Sequence, residues 1–129
     1  MSHVSKVNVE IKSFGALKKA IERLGGTIKE GVKKFRAYGT GKCDHAISFG
    51  EEGMYEMGIS ENQDGTFDLN WDNFAGGHGL VGKVGKNCEN IKKFYAAEAA
   101  KIEARKKGYS VQECQTEDAG IRLTIEVDM

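Results

Sequence analysis

The sequence predicts an α+β fold: an antiparallel sheet with two helices packed on one face, as a single two-layer domain over residues 1–129. Segments in which apolar and polar residues alternate, typical of half-buried strands, outnumber those with helical spacing. Most of these strand-like segments follow one another through short turns, so they are expected to meet as hairpins. A chain of 129 residues with 40% hydrophobic residues is long enough for one core.

The first half of the chain predicts a strand, a helix and a series of short strands. Alternation of Val7, Val9 and Ile11 with polar residues indicates the opening strand. Ser13 can cap a helix that ends at Gly25, with an apolar stripe of Phe14, Leu17, Ile21 and Leu24. Short strands are expected around 27–30, 34–38 and 45–49. Segments 55–60 and 66–72 predict the clearest hairpin, with Phe67, Leu69 and Trp71 on one face and Thr66, Asp68, Asn70 and Asp72 on the other.

The second half predicts a loop, a long helix and a closing hairpin. The glycine-rich stretch 76–86 is interpreted as a flexible surface loop. A helix is expected from about 88 to 107, with Gly108 as its C-cap and a buried stripe of Ile91, Tyr95, Ala99 and Ile102. Strands around 109–115 and 121–127 are expected to form a final hairpin.

Charge is segregated along the chain although the total is neutral. Residues 1–42 carry ten basic and three acidic residues, whereas residues 43–72 carry eight acidic and no Lys or Arg residues. Such patterning shapes surface potential and partner choice. The leading hypothesis is therefore a non-enzymatic accessory or binding module that recognises a protein partner, with candidate contact residues Glu56, Asp68, Asn70, Asp72, Lys33, Lys34 and Arg36. Asp68 and Asp72 are expected to be exposed.

Two alternatives remain open. The basic 18–36 region, with Lys18, Lys19 and Arg23 beside the 33–36 cluster, suits a nucleic-acid-binding protein. Alternation places Phe35 opposite to Lys34 and Arg36, which favours a core aromatic beneath a solvated basic edge. A continuous basic stripe would favour nucleic acid, while intimately paired charged blocks would favour a protein partner or self-neutralisation.

The second alternative is a small enzyme that uses the 72–88 loop, where Asp72, His78 and Cys88 could act as orienter, base and nucleophile. Gly77–Gly82–Lys83 has P-loop spacing, but Val84 replaces the hydroxyl that holds magnesium. Cys43, His45, His78 and Cys88 are zinc-type ligands whose spacing matches no compact ligand motif. No cofactor or metal is therefore expected.

Composition also bears on cellular setting. No apolar run approaches the roughly 20 residues of a membrane helix, so no membrane association is expected. The three widely spaced cysteines fit reduced thiols, and the N-terminus lacks the apolar run of a secretory signal. These features predict a cytoplasmic protein.

In their order, several short motifs resemble a small conserved hypothetical protein family of plastids, cyanobacteria and phages, a domain of unknown function. They are the Met1-Ser2-His3 opening, the stretch 17–25, Arg36-Ala37-Tyr38-Gly39, Tyr55-Glu56-Met57-Gly58-Ile59, Asn70-Trp71-Asp72, Gly108-Tyr109-Ser110-Val111 and Ile121-Arg122-Leu123. The sequence departs from the family at residues 73–87 and lacks a second tryptophan beside Trp71. The resemblance implies the fold and cellular setting but no catalytic residues. It also implies an accessory role with an AAA-type ATPase as a candidate partner.

Overall fold

The computed structural model describes residues 4–127 and has an antiparallel sheet as its centre. Its helices and strands are β1 (Val4–Lys6), α1 (Phe14–Arg23), β2 (Thr27–Glu30), β3 (Lys34–Ala37), β4 (Gly39–Lys42), β5 (His45–Ser48), β6 (Met57–Glu61), β7 (Phe67–Asp72), α2 (Leu80–Val84), α3 (Glu89–Lys106), β8 (Ser110–Gln115) and β9 (Ile121–Glu126). Short 3-10 turns at Phe74–Gly79 and Lys86–Cys88 flank α2.

The central sheet has five strands in the order β1-β7-β6-β5-β2, and every neighbouring pair is antiparallel. The β6–β7 hairpin sets the register, with Met57 opposite Trp71 and Ile59 opposite Leu69. All four side chains are buried and lie on one face, because directly opposed residues of antiparallel strands point the same way. This arrangement confirms the predicted α+β class.

The main core lies between that face and the two long helices. Leu17 and Ile21 of α1 and Ile91 of α3 are fully buried in it. Ser13 caps α1, since its Oγ accepts a hydrogen bond from the Ala16 amide at 3.1 Å. The Tyr95 hydroxyl of α3 accepts the amides of residues 12 and 13 at 2.9 and 3.1 Å, which fixes the start of α1 against α3.

Two sequence predictions differ from the structure. The opening strand covers Val4–Lys6, and the alternating segment behind it joins the sheet only through single contacts, such as the Val7 amide to the Leu69 carbonyl at 2.8 Å. The 76–86 stretch is not a flexible loop, because it contains α2. Leu80 and Val84, four residues apart, are fully buried and anchor this helical turn to the core.

Two hairpins lie outside the sheet. The β3–β4 hairpin covers the sheet face opposite the helices, where Phe35 packs with Ala46 and Cys43. The β8–β9 hairpin lies against α3. Within the described residues, no helix is long and apolar enough to cross a membrane.

Candidate functional site

One buried aromatic ring, that of Phe35, packs the β3–β4 hairpin onto the sheet. Phe35 is 1% exposed and lies between two glycines: Gly41, its cross-strand neighbour, and Gly58 of β6. A Cβ at Gly58 would lie 2.5 Å from the Phe35 ring, so only glycine leaves room for it. The inner face of the hairpin is therefore packed on the sheet, and Phe35 is the core aromatic that the alternation predicted.

The outer face of this hairpin is basic. Lys34 lies directly opposite Lys42, and Arg36 directly opposite Thr40; all four are exposed. Within residues 4–127, neither lysine takes part in an ion pair. Like charges directly opposed on a hairpin destabilise it, so this face is not arranged for stability alone.

Asp72 connects the tip of this hairpin to the turn after β7. Its carboxylate is fully buried, with one oxygen accepting the Tyr38 amide at 2.9 Å and the other the Phe74 amide at 3.0 Å. The prediction that Asp72 is exposed is therefore wrong. Alternation placed it correctly on the face opposite Trp71, but the β3–β4 hairpin covers that part of the face.

The Asp72 carboxylate places two exposed aromatic side chains together. Tyr38 is 56% exposed and Phe74 is 50% exposed, and their ring centroids lie 6.1 Å apart at 64°. Aromatic pairs favour such edge-to-face geometry. The pair adjoins the basic outer face, so the hairpin and the turn form one surface. We call it the hairpin surface and define it by Lys34, Arg36, Tyr38, Lys42 and Phe74.

The turn that carries Phe74 has an unusual backbone. Ala75 and His78 have φ values of 51° and 53°, and the two glycines between them are also left-handed. Non-glycine residues adopt this region at a cost, and such residues concentrate at functional sites. The His78 ring packs edge-on against Tyr55 at 4.7 Å, and the Tyr55 amide donates to the Gly77 carbonyl at 3.0 Å. Burial, followed by the nearby Asp72 and Tyr38, raises the pKa of the Tyr55 hydroxyl.

The other predicted acidic contact residues are engaged within the protein. Glu56 accepts hydrogen bonds from the Lys29 ammonium and, at 2.9 Å, from the Arg36 amide. Burial opposes ionisation of Glu56, but these partners outweigh it and lower its pKa. Asp68, predicted to be exposed, is half-buried and pairs with Lys6 at 3.2 Å, and the Asn70 side chain donates to Ser60 at 3.3 Å. The acidic half of the expected surface is thus largely neutralised internally.

The predicted basic residues divide into two groups. Lys33 pairs with Asp44 at 3.5 Å and Lys18 with Glu30 at 3.6 Å, while Arg23 contacts Glu98 at 2.8 Å. These contacts interrupt the basic 18–36 region, so it does not form the continuous stripe that would favour nucleic acid. Lys34 and Arg36 remain on the outer face of the hairpin, where the Arg36 guanidinium also donates to the Met54 carbonyl at 3.4 Å.

The candidate catalytic residues do not assemble into a triad. Cys88 is fully buried in the main core, and burial raises the pKa of its thiol to about 12, so the thiolate nucleophile is not formed near neutral pH. Both carboxylate oxygens of Asp72 accept backbone amides. His78 is exposed and contacts Tyr55.

The zinc-type ligands also have other partners. Cys43 donates to the Val32 carbonyl at 3.1 Å, while His45 contacts Glu61 at 2.9 Å and accepts the Gly31 amide at 3.0 Å. Within the part of the chain that the structure describes, no three His, Cys, Asp or Glu side chains are grouped to hold a metal ion. Lys83, the P-loop lysine, pairs with Glu51 at 2.9 Å.

The sequence analysis missed Phe74 and the role of Tyr38 beside it. Both residues were visible as aromatics in polar surroundings, but their contact joins segments 36 residues apart and depends on the buried Asp72 carboxylate. The turn residues around 74–78 gave no periodic signal, because their left-handed backbone follows neither strand nor helix spacing.

Comparison with known proteins places the chain in one family. A family model described as "Protein of unknown function (DUF1257)" matches residues 20–124, which include the whole hairpin surface. No curated protein and no solved structure matches the chain. Because the match spans most of the sequence, and as the order of short motifs suggested, the chain belongs to the DUF1257 family, whose function is unknown.

Proposed function

We propose that this protein is a non-enzymatic binding module whose hairpin surface recognises an acidic region of a partner protein. The observation that carries the proposal is the outer face of the β3–β4 hairpin, which carries two directly opposed lysines and leads through Arg36 to the half-exposed Tyr38 ring, itself in contact with Phe74. A partner carboxylate between the lysines would remove their repulsion, and contact with the rings would bury apolar area.

The composition of the hairpin surface fits a protein interface. Tyr, Phe and Arg are enriched in such interfaces, and Tyr and Arg are frequent hot-spot residues. The surface is also held in place before binding, by Phe35 between two glycines and by Asp72 on two backbone amides. Such preorganisation lowers the entropy that binding would otherwise cost.

Single-stranded nucleic acid is the second candidate, since basic residues beside aromatic rings are typical of that class. The ring geometry favours protein. Tyr38 and Phe74 meet edge to face at 64°, so they do not offer parallel platforms on which successive bases could stack. Ion pairing of Lys18, Lys33 and Arg23 also leaves a compact basic patch rather than a stripe that follows a backbone.

We place this module in the cytoplasm as an accessory protein. Its three cysteines are all free thiols, including the exposed Cys114, which suits a reducing compartment. An AAA-type ATPase is a candidate partner, on the family resemblance described above.

The test compares charge-reversed variants as affinity baits in lysate from the native host. Lys34→Glu/Lys42→Glu changes the hairpin surface, and Lys19→Glu/Lys86→Glu makes the same net charge change at exposed positions on α1 and the second 3-10 turn. We expect a captured protein to be lost with the first variant and with Tyr38→Ala, and to be retained with the second. Retention by all variants would contradict the proposal.

A fluorescence-anisotropy titration with a labelled single-stranded oligonucleotide separates the two candidate partner classes. Salt-dependent binding by the native protein that Lys34→Glu/Lys42→Glu abolishes would favour nucleic acid. We expect no specific binding by the native protein, and therefore no difference between it and Lys34→Glu/Lys42→Glu.

A further inference from the structure

The β8–β9 hairpin is a two-stranded ribbon held on α3 by a network of charged residues. Glu113 of β8 contacts Arg23 of α1 at 2.7 Å and Lys101 of α3 at 2.6 Å, and both basic residues also contact the buried Glu98. At the turn of the ribbon, the Lys93 ammonium donates to the Ala119 carbonyl at 3.1 Å. The ribbon is therefore held to the helices at its middle and at its turn.

The outer edge of β9 has no strand beside it. In the part of the chain that the structure describes, β8 and β9 form their own sheet and pair only with each other. An open edge presents unpaired backbone groups, and isolated two-stranded ribbons are only marginally stable. The same strand leads into two exposed apolar side chains, Ile125 at 46% and Val127 at 54% exposure. Both features indicate a surface that another strand covers.

The sequence of β9 is complementary to itself in one antiparallel register. With a two-fold axis through Thr124, Arg122 lies opposite Glu126 of a second copy, and Leu123 lies opposite its Ile125. The next pair outward joins Ile121 with Val127. The two-fold axis repeats each contact, so the interface contains two pairs of opposite charges and two Leu123–Ile125 pairs. Such directly opposed pairs stabilise antiparallel strands.

The register also keeps the faces of the ribbon continuous. Ile121, Leu123 and Ile125 lie on the same face as Glu113, which points to the helices, while Arg122 and Thr124 lie on the opposite face. With the axis through Thr124, even-numbered residues of β9 lie opposite even-numbered residues of the second copy, and odd-numbered residues lie opposite odd-numbered ones. The apolar faces of the two copies are therefore continuous. A shift by one residue would place Arg122 opposite Ile125 and join apolar to polar faces.

We propose that a second copy of this chain pairs with the β9 edge in this register and forms a symmetric dimer. The two ribbons then make a four-stranded antiparallel sheet in the order β8-β9-β9-β8, with both α3 helices on one side. The arrangement gives Ile125 and Val127 apolar neighbours and leaves no open β9 edge. The hairpin surface plays no part in this contact, so the dimer stands independently of the proposed function.

The first experiment swaps the charges and measures mass by sedimentation over a concentration series. We expect a native dimer that Arg122→Glu or Glu126→Arg each weakens at least tenfold, since each single change opposes like charges twice. The double variant Arg122→Glu/Glu126→Arg should restore it, and an equal mixture of the two single variants should form heterodimers. The proposal would be overturned if the native protein were monomeric at every concentration, or if these substitutions left the affinity of the dimer unchanged.

The second experiment tests the axis by cross-linking under mild oxidation, in a Cys114→Ser background. Thr124→Cys should form a covalent dimer, because the two cysteines would lie directly opposite each other. Gln112→Cys is the matched control, since Gln112 is the cross-strand neighbour of Thr124 on the same face but lies one strand further from the axis. Equal cross-linking of both variants would refute this register, and circular dichroism checks that each variant is folded.

Discussion

Asp72 provides the sharpest test of how the hairpin surface is held. The substitution Asp72→Asn keeps the size of the side chain but replaces one accepting oxygen with an amide group. That group would face a backbone N–H, so one of the two bonds at 2.9 and 3.0 Å is lost and a donor is left unsatisfied in the interior. Hydrogen bonds to charged groups contribute about 1.5–3 kcal/mol, and an unpaired buried donor costs about 1–3 kcal/mol.

The expected loss is therefore about 2–4 kcal/mol of unfolding free energy, a large fraction of the roughly 5–15 kcal/mol that stabilises a typical domain. Asp68→Asn is the matched control on the same strand face. Its ion pair with Lys6 is solvated, since the Lys6 side chain is 62% exposed, and such pairs contribute about 0–1 kcal/mol. An asparagine at 68 can still accept the hydrogen bond from Asn62 through its remaining oxygen.

Urea unfolding monitored by circular dichroism measures both variants under the same conditions. Asp72→Asn should strongly lower the urea concentration at the unfolding midpoint without changing the slope of unfolding free energy against urea concentration. Asp68→Asn should leave both quantities nearly unchanged. Amide hydrogen exchange adds a local readout, because the Tyr38 and Phe74 amides should lose protection only in Asp72→Asn. Equal stability of the two variants to within about 0.5 kcal/mol would refute the buried role of Asp72.

Three further predictions concern other parts of the molecule. Hydrogen bonds from Arg23 and Lys101 lower the pKa of Glu113 from 4.5 to about 2, so its stabilising contribution should be complete above about pH 4.5 and disappear as the pH falls through 2. At neutral pH, Glu113→Gln should cost about 1–2 kcal/mol after allowance for solvent screening, and this difference should vanish in acid titrations of unfolding. Gly58→Ala should lower the unfolding free energy by about 1–3 kcal/mol because its Cβ would overlap the buried hairpin ring, whereas Gly82→Ala, which meets open space, should be neutral or slightly stabilising in the same denaturation assay. A thiol reagent should label the exposed Cys114 in the native protein and reach Cys88 only on unfolding, and prompt native labelling of Cys88 would contradict its place in the core.

Periodicity predicted the sheet and the long helices well because both follow a regular repeat. The alternation of Phe67, Leu69 and Trp71 gave the correct core face of β7, and the expected helix over 88–107 agrees with α3 at Glu89–Lys106. A stripe of apolar residues reports directly which side of an element is buried. It does not report what covers the other side.

The candidate site was harder to predict because it depends on contacts between distant segments. Alternation placed Asp72 on the correct face, but only the hairpin docked over Gly58 makes that position buried. The glycine content of the 76–86 stretch predicts a flexible loop, but Leu80 and Val84, at helical spacing, are buried and hold it as α2. Charge blocks along the sequence likewise do not show that Glu56 and Lys29 meet across the fold.

Chemical-shift mapping reports most directly whether the hairpin surface binds the partner. An isotope-labelled sample is titrated with the protein that the native bait captures, and amide shifts are followed residue by residue. We expect the perturbed residues to cluster on the hairpin surface, at Lys34, Arg36, Tyr38, Lys42 and Phe74, with Lys19 and Lys86 unaffected. Perturbation confined to other surfaces, with the hairpin surface unchanged at saturation, would contradict it.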